Sequence, residues 1–345
     1  MLHVGLVGYG LAGKIFHAPL IGSVPQLQLS AIVTSRAEEV ARDVPGVRVL
    51  SNTNDLLADA AADTAIDVVV IASPTASHFQ WAKVALLAGK HVIVDKPIAA
   101  TSADADELIA LAQKQGRVLT VFQNRRWDGD FLTVRRCIDE GALGNVSYFE
   151  AHFDRFRPRI KAGWREEVGP GTGVLFDLGS HLIDQTLQLF GLPHAVTADI
   201  VTQRADAKVE DYFHLVLDYG VRRAVLHCTT LAAGPGYRYL VHGDAGSFRK
   251  HGMDGQEDAL KAGLRPGDPR WGVDAPENFG ELISGDGSRK LIPTERGRYE
   301  MFYRGLAATL ENGAAVPVDP RGSRDALKII EAARKSEEER RTVLL

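Results

Sequence analysis

The chain opens with the apolar run Leu2–Val7, followed at once by the turn Gly8-Tyr9-Gly10-Leu11-Ala12-Gly13 and a helix-like stretch. A G-x-G-x-x-G motif between a strand and a helix predicts a dinucleotide site. The glycines permit a tight turn and close approach of the backbone, and the helix N-terminus can hold a pyrophosphate. The alternative is a plain glycine-rich connection. We predict dinucleotide binding, with contacts from Gly8, Gly10, Leu11, Ala12 and Gly13.

Apolar runs continue to alternate with helix-like segments as far as residue 123. The runs that indicate buried strands are Leu27–Thr34, Val68–Ala72, Val92–Asp95 and Val118–Phe122. This alternation implies parallel pairing with right-handed crossovers, and hence an α/β, doubly wound parallel sheet that binds ligands at the carboxyl ends of its strands. We therefore predict a Rossmann domain over residues 1–123.

After Gln123 the pattern changes to long strand-like segments with few helices between them. These segments are Val146–Arg157, Val196–Thr202, Tyr212–Tyr219, Arg222–Thr230 and Tyr237–Arg249. Consecutive strands of this kind pair antiparallel. We predict a C-terminal α+β domain over residues 124–345, built on a large, mostly antiparallel sheet that binds substrate and pairs subunits into a homodimer or homotetramer. The stretch Gly252–Gly280 is expected to be a long surface excursion.

Composition excludes several classes of protein. The 345 residues are 45% hydrophobic and carry 40 Lys and Arg against 44 Asp and Glu, without the basic block that binding to nucleic acid or an anionic membrane would need. No apolar run approaches the ~18 residues of a membrane span, and the first ten residues lack the features of a signal peptide. The two cysteines, Cys137 and Cys228, are not in a C-x-x-C spacing, which favours a cytoplasmic protein without a disulfide framework.

The end of the second strand bears on the type of dinucleotide. Thr34-Ser35-Arg36 stands where a carboxylate would hold the ribose 2′-hydroxyl of NAD. A hydroxyl and a guanidinium suit a 2′-phosphate, because Arg pairs with phosphate through two hydrogen bonds. The alternative is that Ser35 forms a capping box with Glu38 for the next helix. We predict NADP as the cofactor, held by Ser35 and Arg36, with NAD as the alternative.

The tripeptide Asp95-Lys96-Pro97 ends a strand at the sheet edge where a nicotinamide would lie. Proline restricts Lys96 to extended conformations and allows a cis peptide bond. A surface Lys-Pro turn is the alternative, but the position after a buried strand favours a catalytic lysine. At the same edge we predict cofactor contacts from Ser73, His78, Asp95 and Lys96.

An amphipathic helix over Gly173–Phe190 carries three ionisable residues. Asp177, His181 and Asp184 recur at i, i+4 and i+7 and therefore share a face. Such a stripe is often a solvated face, but an Asp one turn from a His can also orient the imidazole for proton transfer. A divalent ion is a further alternative, although a lysine in the same cavity would compete with it. We predict proton transfer and no metal.

Aromatic and basic residues follow two of the predicted strands on the ligand side. Arg and Trp suit hydroxyl-rich or carboxylate ligands, although salt bridges and packing explain each of them equally well. The candidate substrate-binding residues, besides Asp177 and His181, are Asn124, Arg125, Trp127, Arg155 and Trp164.

Three motifs together resemble the glucose–fructose oxidoreductase, inositol dehydrogenase and rhizopine-catabolism (Gfo/Idh/MocA) family over essentially the whole chain. They are Gly8–Gly13, Asp95-Lys96-Pro97 and Gly173–Asp184. The subset that contains NADP-dependent scyllo-inositol dehydrogenases is similar at Gly8–Leu11, Asn124–Asp128, Asp177–Asp184 and Asp254–Leu260. The chain departs from the family at Asp95, where the usual residue is Glu, one methylene longer.

The resemblance implies reversible hydride transfer between nicotinamide and a polyol, cyclitol or sugar carbon, with scyllo-inositol and its 2-keto form as the leading pair. By the same resemblance, His181 acts as general base, Asp177 orients the substrate or the histidine, and Lys96 polarises the reacting oxygen. An aldose dehydrogenase of this family, acting on a sugar such as glucose or xylose, is one alternative. A non-catalytic NAD(P)-sensing regulator is another, and the joint presence of Lys96, Asp177 and His181 argues against it.

Overall fold

A computed structural model describes residues 1–58, 65–234 and 236–345. The chain divides into two compact units. Unit 1 consists of Met1–Asn124, Gln256–Trp271 and Arg298–Arg324, and unit 2 of Arg125–Gly255, Gly272–Gly297 and Asp325–Leu345. The middle of the predicted surface excursion thus belongs to unit 1. A division into independent domains after residue 123 stays a prediction, since two later segments pack with the first unit.

Unit 1 contains a six-stranded parallel sheet in the order β3-β2-β1-β4-β5-β6, which is the Rossmann order. The strands are β1 Leu2–Val7, β2 Leu27–Val33, β3 Arg48–Leu50, β4 Val68–Ile71, β5 His91–Asp95 and β6 Leu119–Phe122. The four residues of β4 are fully buried, because helices cover both faces of a doubly wound sheet. The predicted doubly wound sheet is confirmed, and β3 is an addition that its three residues were too short to reveal.

The helices of unit 1 connect these strands. A π-helical turn, Ala12–His17, leads into α1 Ala18–Ile21, and the next helices are α2 Ala37–Asp43, α3 Thr53–Ala58, α4 His78–Leu87 and α5 Ser102–Gln115. Helix α5 begins after Thr101, whose hydroxyl accepts a hydrogen bond from the Asp104 amide at 3.1 Å. It ends at Gly116, whose φ of 58° is left-handed, a conformation that glycine adopts readily at a helix C-terminus.

Unit 2 contains a nine-stranded sheet in the order β14-β13-β12-β11-β7-β10-β9-β8-β15. Its elements are α6 Gly129–Asp139, β7 Val146–His152, α7 Ser180–Phe190, β8 Ala195–Val201, β9 Tyr212–Tyr219, β10 Arg222–Thr229, β11 Tyr237–Gly243, β12 Gly246–His251, β13 Gly280–Ser284, β14 Arg289–Ile292 and β15 Val343–Leu344. The predicted, mostly antiparallel sheet is confirmed. One pair differs, since β7 and β10 run parallel; a parallel pair needs a long crossover, and the connection that leaves β7 contains α7.

The two faces of this sheet differ in burial. Along β9, Phe213, Leu215 and Leu217 are fully buried, whereas the alternate residues Tyr212 and His214 are half-buried. Side chains alternate between faces along a strand, so the sheet has one core face and one partly open face. The open face includes His214 and, through the cross-strand register, His227 and His152.

The remaining helices are α8 Gln256–Lys261 and α9 Glu300–Asn312, both in unit 1, and α10 Pro320–Glu339. The core of unit 1 includes Phe302, Tyr303 and Leu306 of α9. Among the residues described, none of the helices has both the length and the hydropathy of a membrane span.

Candidate active site

The glycine turn after β1 leaves open backbone at its centre. A Cβ on Gly8 would lie 2.7 Å from the Ala72 carbonyl oxygen, and one on Gly13 would lie 2.1 Å from the Gly8 carbonyl oxygen, so packing within the protein requires both glycines. Gly8 also has a φ of 100°, which other residues rarely adopt. A Cβ on Gly10, in contrast, would meet nothing within 4 Å. The turn therefore fits a pyrophosphate, which needs close approach to the backbone at the second glycine.

The C-terminal end of β2 presents two exposed side chains, Ser35 and Arg36. The predicted alternative, a capping box, is absent: Arg36 is the N-cap of α2, without a side-chain cap, and the Arg36 amide donates to Thr34 Oγ1 at 3.1 Å. The Arg36 guanidinium lies 3.8 Å from Glu39 and its side chain is 53% exposed. An ion pair this exposed is weak, so Arg36 can turn toward a phosphate.

His78 connects the loops that follow β4 and β5. Its ring nitrogens lie 2.8 Å from the carbonyl oxygens of Ser73 and Pro97, and the residue is buried. Burial lowers its pKa, and the neutral ring that burial favours donates to one of the two carbonyls. His78 thus supports both loops through its two ring nitrogens, and its contact with the cofactor stays a prediction. Ser73 is half-buried, and its hydroxyl is paired with Ser77 at 2.7 Å.

The Asp95 carboxylate supports the backbone beneath Lys96. It accepts a hydrogen bond from the Lys96 amide at 2.9 Å, and the Lys96–Pro97 peptide bond is cis, as the sequence analysis allowed. On its other side, His17 Nε2 lies 4.0 Å from Asp95 Oδ1. With a shorter side chain than the family's glutamate, Asp95 engages the amide of the next residue, which fixes the start of the lysine loop.

His17 is a buried residue that the sequence analysis missed. Its Nδ1 atom lies 2.6 Å from the hydroxyl of Tyr303, which is 286 positions away, and its ring packs 4.4 Å from that of Phe122. Burial lowers the pKa of His17 to about 4 despite the nearby Asp95. No local pattern could reveal this residue, because its partners come from the far end of the chain.

In unit 2, Phe153 is the centre of a group of basic side chains. The His181 ring stacks on it with a centroid distance of 6.2 Å, and the guanidinium groups of Arg125 and Arg155 lie 4.8 and 4.9 Å from its centroid. His181 and Arg125 are both 5% exposed. The structure thus brings together three predicted site residues around an aromatic ring that the sequence analysis did not single out.

The predicted helix over Gly173–Phe190 is not a regular α-helix. Leu175–Gly179 is π-helical, and α7 begins at Ser180. Asp177 lies in the π-helical segment and accepts a hydrogen bond from Arg165 Nε at 3.1 Å. Asp184 is buried and paired with Arg126. Its carboxylate is therefore engaged in an ion pair, and Asp184 does not join Asp177 and His181 as a third candidate for proton transfer. π-turns of this kind are common at functional sites.

A small cavity of about 80 Å³ lies beside Asp177 within unit 2. Its charged lining consists of Arg155, Arg157, Arg165, Glu166, Asp177 and Glu210. Guanidinium donors and carboxylate acceptors at one cavity can bind the hydroxyl groups of a polyol. A larger cavity of about 580 Å³ in the same unit contains none of the predicted site residues.

The other predicted substrate residues occupy varied positions. Asn124 and Arg125 are buried at the short helical turn Asn124–Trp127, and Trp127 is half-buried. Arg125 pairs with the buried Asp128 at 3.4 Å. Trp164 packs against the Arg165 guanidinium, which lies 4.4 Å from its ring, and so supports a cavity residue. The substrate contacts of these residues stay predictions.

Two family models match the chain in sequence order. The model described as "Oxidoreductase family, NAD-binding Rossmann fold" matches residues 2–123, and "Oxidoreductase family, C-terminal alpha/beta domain" matches residues 135–345. A protein of Bacillus subtilis named scyllo-inositol 2-dehydrogenase (NADP(+)) IolW is 44% identical, covering 100% of this chain and 96% of that protein. The Escherichia coli oxidoreductase YdgJ, of uncharacterized activity, is 44% identical over 100% of this chain and 99% of that protein.

Solved structures agree with this assignment. The Bacillus subtilis protein yvaA superposes with a TM-score of 0.94 and 42% identity, covering 100% of both chains. YPO2259 of Yersinia pestis also has a TM-score of 0.94 and 42% identity, over 100% of this chain and 97% of that one. These matches confirm the predicted NAD(P)-dependent dehydrogenase of CH–OH donors. With both family models matched in order, the chain belongs to the Gfo/Idh/MocA oxidoreductase family.

Proposed function

We propose that the protein is an NADP(H)-dependent dehydrogenase that interconverts a secondary alcohol of a cyclitol or sugar with its ketone. The leading substrate pair is scyllo-inositol and its 2-keto form, a choice supported by the 44% identity to the Bacillus subtilis enzyme of that name. The structural observation that carries the proposal is the exposed Ser35 and Arg36 pair at the end of β2. The residue at the end of the strand is not the carboxylate that would hold the ribose 2′-hydroxyl of NAD, and the exposed ion pair of Arg36 with Glu39 is weak enough for a phosphate to replace.

Different residues bind the cofactor and transfer the proton in the proposed reaction. The backbone of Gly8–Gly13 holds the pyrophosphate, and Ser35 and Arg36 hold the 2′-phosphate. The bound nicotinamide cofactor supplies the capacity to accept or donate hydride. His181 takes the hydroxyl proton during oxidation, and Lys96 stabilises negative charge that develops on the same oxygen.

Asp177 has a different role, because it carries no proton in the proposed step. It orients the substrate or the imidazole, and Arg165 holds its carboxylate at 3.1 Å. The cavity beside Asp177 supplies hydrogen-bonding groups for the remaining hydroxyls of a polyol. Three of its lining side chains are arginines, which suits an electron-rich substrate.

Two alternatives keep the same fold. An aldose dehydrogenase would use the same cofactor and proton-transfer residues but accept a reducing sugar. A non-catalytic NAD(P) sensor would bind the cofactor without turnover. We also propose that the protein is cytoplasmic and forms a homodimer or homotetramer through the nine-stranded sheet, whose open face carries half-buried aromatic and apolar side chains.

A substrate panel monitored by NADPH absorbance tests the proposal. We expect NADP-dependent oxidation of scyllo-inositol and reduction of its 2-keto form, with lower kcat/KM for glucose and xylose. The opposite order would favour the aldose alternative. Tight NADPH binding without turnover of any polyol, cyclitol or sugar would favour the sensor.

A further inference from the structure

A histidine-rich cluster lies on the open face of the nine-stranded sheet, outside the residues assigned to catalysis. His152 is the last residue of β7, Asp154 lies two positions further on, and His227 of β10 is the direct cross-strand partner of His152. The three side chains are 17–19% exposed. The register of a parallel strand pair thus places two imidazoles side by side, with a carboxylate next to both.

The distances within this cluster suit a metal ion. His152 Nδ1 is 2.9 Å from Asp154 Oδ2, and His227 Nε2 is 3.6 Å from Asp154 Oδ1. All three ligand atoms lie within 4.8 Å of one another. Ligand atoms on a tetrahedral Zn²⁺ ion are roughly 3.4 Å apart, given metal–ligand bonds of about 2.0–2.2 Å. Small side-chain rotations would bring all three onto one ion.

The groups around the cluster are those that usually support metal-binding histidines. His152 directs its other nitrogen, Nε2, at Glu150 Oε1 at 2.6 Å, and Glu150 in turn accepts from the Tyr148 hydroxyl at 2.5 Å. His227 directs its Nδ1 at His214 Nδ1 at 3.4 Å. A metal-bound histidine characteristically places its remaining N–H on such a partner, which fixes the tautomer that leaves the ligand nitrogen unprotonated.

We propose that His152, Asp154 and His227 form a binding site for a divalent transition-metal ion, with Zn²⁺ as the principal candidate. Two imidazoles and one carboxylate favour Zn²⁺, Co²⁺ or Ni²⁺ over Mg²⁺ and Ca²⁺, which prefer oxygen ligands throughout. His152 belongs to β7 and His227 to β10, and Asp154 follows the end of β7, so the ion would connect the parallel pair at the centre of the sheet. An adjoining cavity of about 170 Å³, lined in part by His152 and Asp154, has room for a water as the fourth ligand.

Without an ion, the same groups form a hydrogen-bonded chain in which a protonated His152 bridges two carboxylates. Metal titration distinguishes a metal site from this set of hydrogen bonds, because only a metal site binds one ion per protein chain. None of the three ligands is assigned to proton transfer. Phe153, which stacks with His181, is fully buried, whereas its neighbour His152 is half-buried on the open face of the sheet.

Metal titration of tag-free, chelator-treated protein in its purified oligomeric state tests the proposal. We expect one Zn²⁺ per chain with a Kd in the micromolar range, a visible Co²⁺ spectrum typical of nitrogen and oxygen ligands, and no competition from excess Mg²⁺. His227→Ala and Asp154→Asn should each weaken Zn²⁺ binding by about tenfold or more. His227→Cys should retain binding, because a thiolate is also a zinc ligand.

His194→Ala is the matched control, since His194 is an exposed histidine of the same unit outside the cluster, and it should not change Zn²⁺ affinity. Absence of saturable binding, or binding equally strong in His227→Ala and Asp154→Asn, would overturn the proposal. If these variants fail to fold, anomalous diffraction from Zn²⁺-soaked crystals of the unmodified protein decides. A peak between His152, Asp154 and His227 supports the site, and its absence there refutes it.

Discussion

Asp184 binds the Arg126 guanidinium through two hydrogen bonds, with Nη2–Oδ1 at 2.7 Å and Nε–Oδ2 at 2.8 Å. The side chains are 2% and 12% exposed, so the ion pair is largely removed from water. Two parallel hydrogen bonds fix both groups in a single orientation. The pair therefore anchors the turn after β6 to helix α7 within unit 2, and Asp184 is a structural residue.

Breaking this pair from one side should be costly. Arg126→Met leaves the Asp184 carboxylate buried without its partner, and we expect a loss of about 3–5 kcal/mol in the free energy of unfolding, measured with urea. The double variant Arg126→Met, Asp184→Leu removes both charges and should be more stable than Arg126→Met alone. The single variant Asp184→Leu completes the comparison. If the double variant lost as much free energy of unfolding as Arg126→Met and Asp184→Leu together, the two side chains would not be coupled as the geometry indicates.

The sequence predicted the elements of unit 1 well because their signals are local. The apolar run and the glycine turn at Leu2–Gly13 lie within twelve consecutive positions, and Thr101 and Gly116 mark both ends of α5. The pairing of β7 with β10 could not be predicted in the same way. The paired residues Tyr148 and Arg223 are 75 positions apart (223 − 148), and no local pattern specifies which distant strand becomes a neighbour.

The site was predicted in part, for the same reason. The spacing of Asp177, His181 and Asp184 suggested one chemical stripe, but the partner of Asp184 lies 58 positions away, and a π-helical segment interrupts the assumed periodicity. Ser35 matched a capping box, yet the helix begins one residue later, at Ala37. Tertiary contacts, not local propensity, decide these positions.

Lys96→Met and His181→Asn test the proposed proton chemistry. Each should lower kcat by about 100-fold or more, because general acid–base groups typically contribute that much. Affinity for NADPH, measured by fluorescence, should fall by far less than kcat, since the predicted phosphate contacts lie elsewhere, at Gly8–Gly13, Ser35 and Arg36. Lys114→Met, at an exposed lysine of α5, and His194→Ala serve as controls. Normal turnover in either site variant would remove that residue from the reaction.

Arg36→Ala tests the preference for NADP. Loss of a charge-assisted contact with the 2′-phosphate should weaken NADPH binding by about tenfold or more and leave NADH binding nearly unchanged. Arg42→Ala is a matched control, because Arg42 lies on the helix that follows Arg36, is 68% exposed and pairs with Asp43. Equal affinities for NADPH and NADH in the unmodified protein would contradict the role of Arg36.

Chelators separate the proposed metal site from the reaction. Lys96, Asp177 and His181 are sufficient to bind and move the proton in the proposed step, so EDTA should leave initial rates unchanged. We expect it to lower the thermal midpoint of a Zn²⁺-loaded sample, because an ion that binds only the folded chain stabilises it. Activity lost with EDTA and restored by Zn²⁺ would instead place a metal in the reaction.

The buried His17 should make stability depend on pH. Burial lowers its pKa from 6.5 to about 4, so between these values the unfolded chain binds a proton that the folded chain does not. The contribution of His17 to the free energy of unfolding is therefore fully present above pH 6.5 and is lost as the pH decreases toward 4. Between pH 7 and pH 5 this single residue should remove about 2 kcal/mol from the free energy of unfolding.

His17→Gln isolates this contribution. Glutamine does not titrate and can still bond to the Tyr303 hydroxyl, which lies 2.6 Å from the His17 ring. Urea unfolding of both proteins at pH 7 and pH 5 gives the difference directly, and groups such as His78 that titrate in both proteins cancel. The unmodified protein should lose about 2 kcal/mol more than the variant over this interval. Equal losses would mean that His17 takes up its proton in the folded chain as readily as in the unfolded one.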